Sequence, residues 1–313
     1  MIISINKKYA DSHSNSILSD QCSAIIRSHH FIVCDSDTYK KIVDAVEKNG
    51  STTQKELFKA YRGFQPTEEQ VKYLTTIDLD KLNITDNSFH GLIELPTEVL
   101  AENGMNEWNT YKTLSETYKH DRTYKNIFSL ITKAINHNEV VSGHAGGWSS
   151  FVNYINHKNA NEYIGMYKYK VFVIFDRDTN DNESFDGNKN GLFSFLCGKK
   201  ANQITDGDIY TLSQTGYIWH CWYKRAIENY IPNHIYEDQR VDVSSIPSTY
   251  PERDYFNFTR FEKEHHGYNK DMMKDFSAKM SKSDYEEHIK TFFIDGKDVS
   301  EMQLLLLKIA KVI

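Results

Sequence analysis

The chain has 313 residues, 39% of them apolar and 26% charged, with twenty Tyr and seventeen Phe. That composition buries a core and excludes the disordered and collagen-like classes, and the length fits one large α/β domain with extensions, or two domains. A net charge of −6, from 37 basic and 43 acidic residues, excludes a long-range field that gathers polyanions, so any nucleic-acid surface is local or supplied by a partner.

No run approaches the roughly eighteen consecutive apolar residues of a membrane span. The start, MIISINKKYADSHSNS, has no apolar segment followed by a cleavage site. A cytoplasmic protein without membrane contact is expected. Cys22, Cys34, Cys197 and Cys221 are far apart and form no CxxC, which points to reduced structural thiols rather than a disulfide framework or zinc site.

In chain order, His30 to Cys34 is a short β-rich run, and Asp37 to Lys48 carries Tyr39, Ile42, Val43 and Val46 at helical spacing. A polar stretch follows to Asn87, with helical signals near Gln54–Tyr61 and Thr67–Leu74. Thr97 to Glu102 reads as a strand, Glu107 to Tyr118 and Tyr124 to Ile135 as helices, and Val140-Val141 as a short strand entering Gly143-His144-Ala145-Gly146-Gly147-Trp148. Ser149 is the predicted N-cap of a helix through Ile155. Lys170 to Phe175 is apolar on both faces and belongs in a buried parallel sheet. Asp208 to Leu212 is predicted as a further strand and Trp222 to Tyr230 as the start of a helix. Beyond Pro232 the chain is more polar and helical, with a capping box at Ser283–Glu286 and a final helix over Ser300–Ile313. Alternating strands and helices predict an α/β fold, a parallel sheet with helices on both faces. The expected domains are an N-terminal α/β extension over 1–92, a catalytic domain over 93–235 and a mainly helical region over 236–313.

The chemistry gathers at strand ends. Side chains two apart in an extended segment share a face, so Asp176 and Asp178 are expected on one side of the chain and Arg177 on the other. Ligands of open α/β sheets bind beyond the carboxyl ends of the strands, and Glu102 ends a strand of the same sheet. Carboxylates that close raise one another's pKa unless a cation sits among them, and an all-oxygen donor set favours Mg²⁺ or Mn²⁺ over Zn²⁺. A lone Asp at a strand end ordinarily caps a turn. The Asp176/Asp178 pair carries more weight because Glu102, the Gly146-Gly147 turn and Glu228 fall at matching places in the βα order.

Glu102-Asn103-Gly104, Gly146-Gly147-Trp148, Phe175-Asp176-Arg177-Asp178 and Ala226-Ile227-Glu228-Asn229-Tyr230 together resemble the Toprim domain. The form is that of OLD-type (overcoming lysogenization defect) nucleases and related phage-defence proteins, and the likeness covers roughly residues 97–232. It implies a metal-dependent phosphodiester reaction in which Glu102 is general acid/base and metal neighbour, Asp176 and Asp178 hold Mg²⁺ or Mn²⁺, and Glu228 contributes to a second metal site. Two cations about 3.5–4 Å apart would activate a water and neutralise the leaving oxygen. Here the sequence departs from the family in two ways: Asn103 intervenes before the glycine, so that Glu107 falls one step later than the family's second acid with Asn106 in its place, and the segment between Glu102 and Gly146 is long enough to hold two helices. Gly146, Gly147, Lys199, Lys200, Lys224 and Arg225 are candidate contacts to the substrate phosphates. For the lysines and arginine, the competing reading is solvated surface charge.

Other readings compete for the same residues. Asp176 and Asp178 also fit a haloacid-dehalogenase-like phosphatase, with Asp176 as nucleophile, Asp178 as acid/base and Asp206/Asp208 as the later acidic pair. A non-catalytic regulatory or assembly subunit of a defence complex would use the same carboxylates for binding alone. Asp186–Gly191 matches half of a calcium loop, but Cys197 stands where its last glutamate belongs. Trp148, Trp219 and Trp222 read as core rather than base-stacking residues, and the pairs His29-His30 and His265-His266 are given no role. No G-x-x-x-x-G-K-[ST] loop exists; the proteins this chain resembles often work with an ATPase, fused or separate, so a separate ATPase subunit is an expected partner. Membership of an oligomer or complex is expected on the same ground.

Overall fold

Short β-branched runs become parallel strands in each of the two units into which the chain divides. The computed structural model describes every residue except 62–64, 83, 103, 182–183 and 265–266. One unit comprises Met1–Pro96, His157–Lys170 and Ala310–Ile313, and the other comprises Thr97–Asn156 and Val171–Ile309. Asn103, His265 and His266 of the sequence reading lie outside the described residues. All four cysteines are free thiols, and no described helix is long and apolar enough to cross a membrane.

In the first unit β1 (Ile2–Ser4), β2 (Phe31–Val33) and β3 (Thr76–Asp78) form a parallel sheet in the order β2-β1-β3. Ile3 of β1, with the helix residues Leu18, Ile25, Ile42 and Val46, forms a core closed to solvent. Asp35 starts the helix Ser36–Asn49 by accepting from the N–H groups of Asp37 and Thr38, as its composition predicts. The strands β1 and β3 and the helix Asn15–Arg27 add to the predicted elements. Three-residue strands are too short to express a period of two.

The second unit is built on β4 (Thr97–Leu100), β5 (Val140–Gly143), β6 (Val171–Phe175) and β7 (Ile218–Cys221), all parallel, in the order β5-β4-β6-β7. Every residue of β6 is buried, which its run of apolar residues predicts. The helices Gly104–Tyr118 and Lys125–Asn136 follow β4 as expected.

Four local expectations are overturned. Asp206–Ile209 is a helical turn, not a strand, because the Asp208 carboxylate turns back to accept from the Thr205 N–H at 2.9 Å, a capping geometry incompatible with a ladder. The sheet's fourth strand comes instead from Ile218–Cys221. Residues 222–226 are irregular, and only Ile227–Tyr230 forms a 3₁₀ turn. Ser149 lies inside the 3₁₀ turn Trp148–Ser150 that precedes the helix Phe151–Asn161. The capping box over the helix Lys282–Glu286 uses Ser281 with Asp284, two residues earlier than read from sequence. The C-terminal region also contains a hairpin of β8 (Thr291–Ile294) and β9 (Lys297–Ser300), turned by Asp295 and Gly296, both at positive φ.

The last helix, Glu301–Ala310, fastens to the sheet through buried polar groups. Glu301 accepts from His220 Nε2 at 2.9 Å and from the Tyr223 N–H at 2.8 Å. Lys308 donates to the carbonyls of Ile209 and Trp219. Burial pushes the His220 imidazole down to about 4, against the opposing pull of Glu301. The unfolded chain, titrating near 6.5, binds a proton between pH 4 and 6.5 that the fold rejects. Stability is therefore full above pH 6.5 and declines by up to about 3 kcal/mol as pH falls to 4. Denaturation midpoints measured across that range test this, with His220→Gln expected to flatten the slope.

Candidate metal centre

In the strand order β5-β4-β6-β7 the chain runs outward from β4 to β5 and then returns to the other side of β4. The switch point therefore falls between β4 and β6, where open α/β sheets bind ligands. Glu102 comes two residues after β4, and Asp176 directly after β6. A cleft of about 470 Å³ opens there, lined by Glu102, Gly146, Gly147, Asp176, Asp178, Arg225, Glu228 and Lys270 among others.

Seven predicted residues thus line one cleft, but alternation along a strand is not what orients the aspartates. β6 ends at Phe175, and Asp178 has φ 61°, in the left-handed region that Asp tolerates better than most residues. The N–H groups of Arg177 and Asp178 both donate to the Arg225 carbonyl, at 2.9 and 3.0 Å. The Arg177 side chain points away from the cleft, fully buried, donating to the Trp222 carbonyl and the Tyr210 hydroxyl and stacking on Phe185. The turn is thus pinned from behind while its carboxylates face forward. Gly146 and Gly147 have φ 76° and 108° with open space where a Cβ would stand, so backbone conformation rather than crowding requires glycine.

Charge is concentrated in this cleft. The Asp176 carboxyl is held well above the usual carboxylate range, first by burial and then by Glu102, Glu228, Glu107 and Asp178. Burial also raises Glu102, opposed by Lys189 and reinforced by Asp178. Asp176 Oδ1 and Glu228 Oε2 are buried without a hydrogen-bond partner among the described residues, a costly condition for carboxylate oxygens. Glu228 Oε1 faces Lys270 Nζ at 3.5 Å and the Tyr268 hydroxyl at 3.4 Å. Glu107 is buried in the first turn of its helix and accepts from Tyr111 at 2.8 Å. Five carboxylates against three basic side chains, Lys189, Lys270 and Arg225, leave a surplus of negative charge, and the acidic donors are all oxygen. Charge and donor type suit a hard divalent cation, although among the described residues no three of these carboxylates bring ligand atoms within 4.8 Å of one another.

Lys189 and Lys270 have no signal in the sequence reading. Lys189 closes the 3₁₀ turn Gly187–Lys189, which Asp186 caps by accepting from the Asn188 N–H at 2.9 Å. The half-match to a calcium loop is therefore a capped turn that delivers a lysine.

The other predicted basic contacts lie elsewhere. Lys199 pairs with Asp208 at 2.6 Å, and exposed Lys200 lines a different depression with Ser184 and Asn190. Lys224 is buried, 2.8 Å from Asp254, and burial lowers its pKa against the pull of that carboxylate. None of the three lines the cleft. Lys224→Met is expected to destabilise the protein by about 1–3 kcal/mol in urea denaturation without altering the salt dependence of any nucleic-acid binding. A shallower salt slope would restore Lys224 as a phosphate contact. Asp206 and Asp208 also lie outside the cleft lining. Trp219 and Trp222 are core residues.

Comparison with family models, with curated proteins and with solved structures found no match.

Proposed function

We propose that this chain is a Mg²⁺- or Mn²⁺-dependent nuclease of the Toprim kind. It would hydrolyse phosphodiester bonds of nucleic acid, DNA in preference to RNA, as a cytoplasmic antiphage effector. The observation that carries the reading is the meeting of Glu102, Asp176, Asp178 and Glu228 in one cleft, where two buried carboxylate oxygens have no protein partner.

Asp176 and Glu228, with Glu102 and Asp178 beside them, would hold the cation, which when bound lowers the pKa of a water and offsets charge on the phosphate. Arg225 and Lys270 are the basic side chains lining the cleft and would meet flanking phosphates. The Arg225 guanidinium is set by Thr179 O at 3.1 Å, and the Gly146-Gly147 turn lets a backbone approach closely. Glu102 would serve as acid/base, its proton affinity raised by burial. ATP hydrolysis, where activity needs it, would come from a separate subunit of a complex, since the sequence has no phosphate-binding loop of the common kind.

The phosphatase reading has less support. Its later acidic pair, Asp206 and Asp208, lies outside the cleft lining, whereas Glu102 and the Gly146-Gly147 turn, which that reading does not use, lie within it.

The test is cleavage of plasmid, single-stranded DNA and RNA with Mg²⁺, with Mn²⁺ and with chelator. Activity lost in chelator and restored by either metal is expected. Undiminished cleavage in chelator, or a covalent adduct of a phosphate analogue on Asp176, would overturn it.

A further inference from the structure

Lys189 Nζ stands 3.0 Å from Glu102 Oε1, 2.7 Å from Asp178 Oδ2 and 2.5 Å from the Asp176 carbonyl oxygen. An ammonium has three N–H donors, and here three acceptors take them all. The side chain is 1% exposed. Its Nζ lies 5.8 Å from the Trp148 ring and 5.5 Å from the Phe175 ring. It is a built-in cation seated between the glutamate of one strand end and the second aspartate of the other.

A divalent ion bound to those same two oxygens would sit about 2.1 Å from each. Lys189 Nζ is already within 3.0 Å of both, so the two cations would contend for one position. At the other side of the cluster the situation is reversed. Asp176 is 6% exposed and Glu228 is 2% exposed, and each has a buried oxygen with no partner. Both carboxylates line the same cleft.

We propose that the cleft takes a single divalent cation, seated on Asp176 Oδ1 and Glu228 Oε2, and that the Lys189 ammonium holds the position between Glu102 and Asp178 that a second cation would otherwise take. This rests on the reading of the cleft as a metal centre and narrows the two-cation arrangement that the family resemblance implies. Lys189 has no donor left for a phosphate, so its contribution is fixed charge and the positioning of Glu102.

The full-length chain is titrated with Mn²⁺ while free ion is followed by electron paramagnetic resonance, with circular dichroism confirming the fold of each variant. One ion per chain is expected for the wild type. Asp176→Asn and Glu228→Gln should each weaken binding ten-fold or more, and Glu102→Gln should weaken it less. Lys189→Met, by releasing Glu102 and Asp178, should admit a second ion. Two ions per wild-type chain, or Glu102→Gln losing as much affinity as Glu228→Gln, would overturn the proposal, as would a folded Lys189→Met that still binds one. If Lys189→Met does not fold, the comparison of Glu102→Gln with Glu228→Gln decides. A chain that binds one Mn²⁺ through Asp176 and Glu228 yet cleaves nothing retains this inference and loses the nuclease reading. A chelator-sensitive nuclease holding two ions does the reverse.

Discussion

Glu102→Gln and Asp176→Asn are each expected to reduce metal-dependent cleavage by at least roughly 10³-fold while the protein stays folded. Both changes keep shape and remove charge. Glu102 Oε1 accepts from Lys189 and from the Asp176 N–H at 3.1 Å, and an amide oxygen in its place still accepts both, so the loop geometry survives. The negative charge that would move a proton or balance a cation does not. Asp176→Asn removes a carboxylate that burial and four like charges already disfavour, so stability should hold or rise slightly. Single-turnover cleavage rates beside thermal melts test both halves. Rates within ten-fold of wild type would remove these carboxylates from the chemistry.

Glu102, Asp176, Asp178 and Glu228 can be read from sequence because each follows or closes a strand-like or motif-like run, and strand ends in a parallel sheet converge whatever the loops do. Lys189 cannot. It sits in an Asn/Asp/Gly-rich loop whose only sequence pattern imitates a calcium site, and its position depends on a 3₁₀ turn and two ring walls that no spacing encodes. Lys270 is equally silent, 42 positions beyond the Glu228 it faces. Near the edge of the sheet, Ile209-Tyr210-Thr211-Leu212 has the stronger β composition. The strand is nevertheless Ile218–Cys221, because a Thr205/Asp208 cap captures the first segment. Composition loses there to a local hydrogen bond. Lys199, Lys200 and Lys224 show the same limit on the functional side: proximity in sequence says nothing of which carboxylate a lysine meets first.

Glu301→Ala is expected to cost about 3–5 kcal/mol of stability and to weaken Mn²⁺ binding as well. Glu301 is fully buried and receives three donors, from His220, the Tyr223 backbone and the Tyr230 hydroxyl. Alanine leaves all three without an acceptor in a site closed to water, which is the expensive way to break a buried network. The effect reaches the candidate metal centre through Tyr230. Its hydroxyl also accepts from the Lys224 N–H at 3.0 Å, and it closes the 3₁₀ turn that carries Glu228. With the hydroxyl unanchored, that turn loses one of the bonds fixing the carboxylate in the cleft. Glu301→Gln retains a carbonyl acceptor and should recover much of both losses, whereas Glu301→Met, equal in bulk but without an acceptor, should behave like alanine. Urea midpoints and Mn²⁺ titrations of the three variants separate the contributions. If methionine restores stability, packing rather than hydrogen bonding holds the last helix, and if stability falls while Mn²⁺ affinity does not, the turn bearing Glu228 is held by the backbone alone.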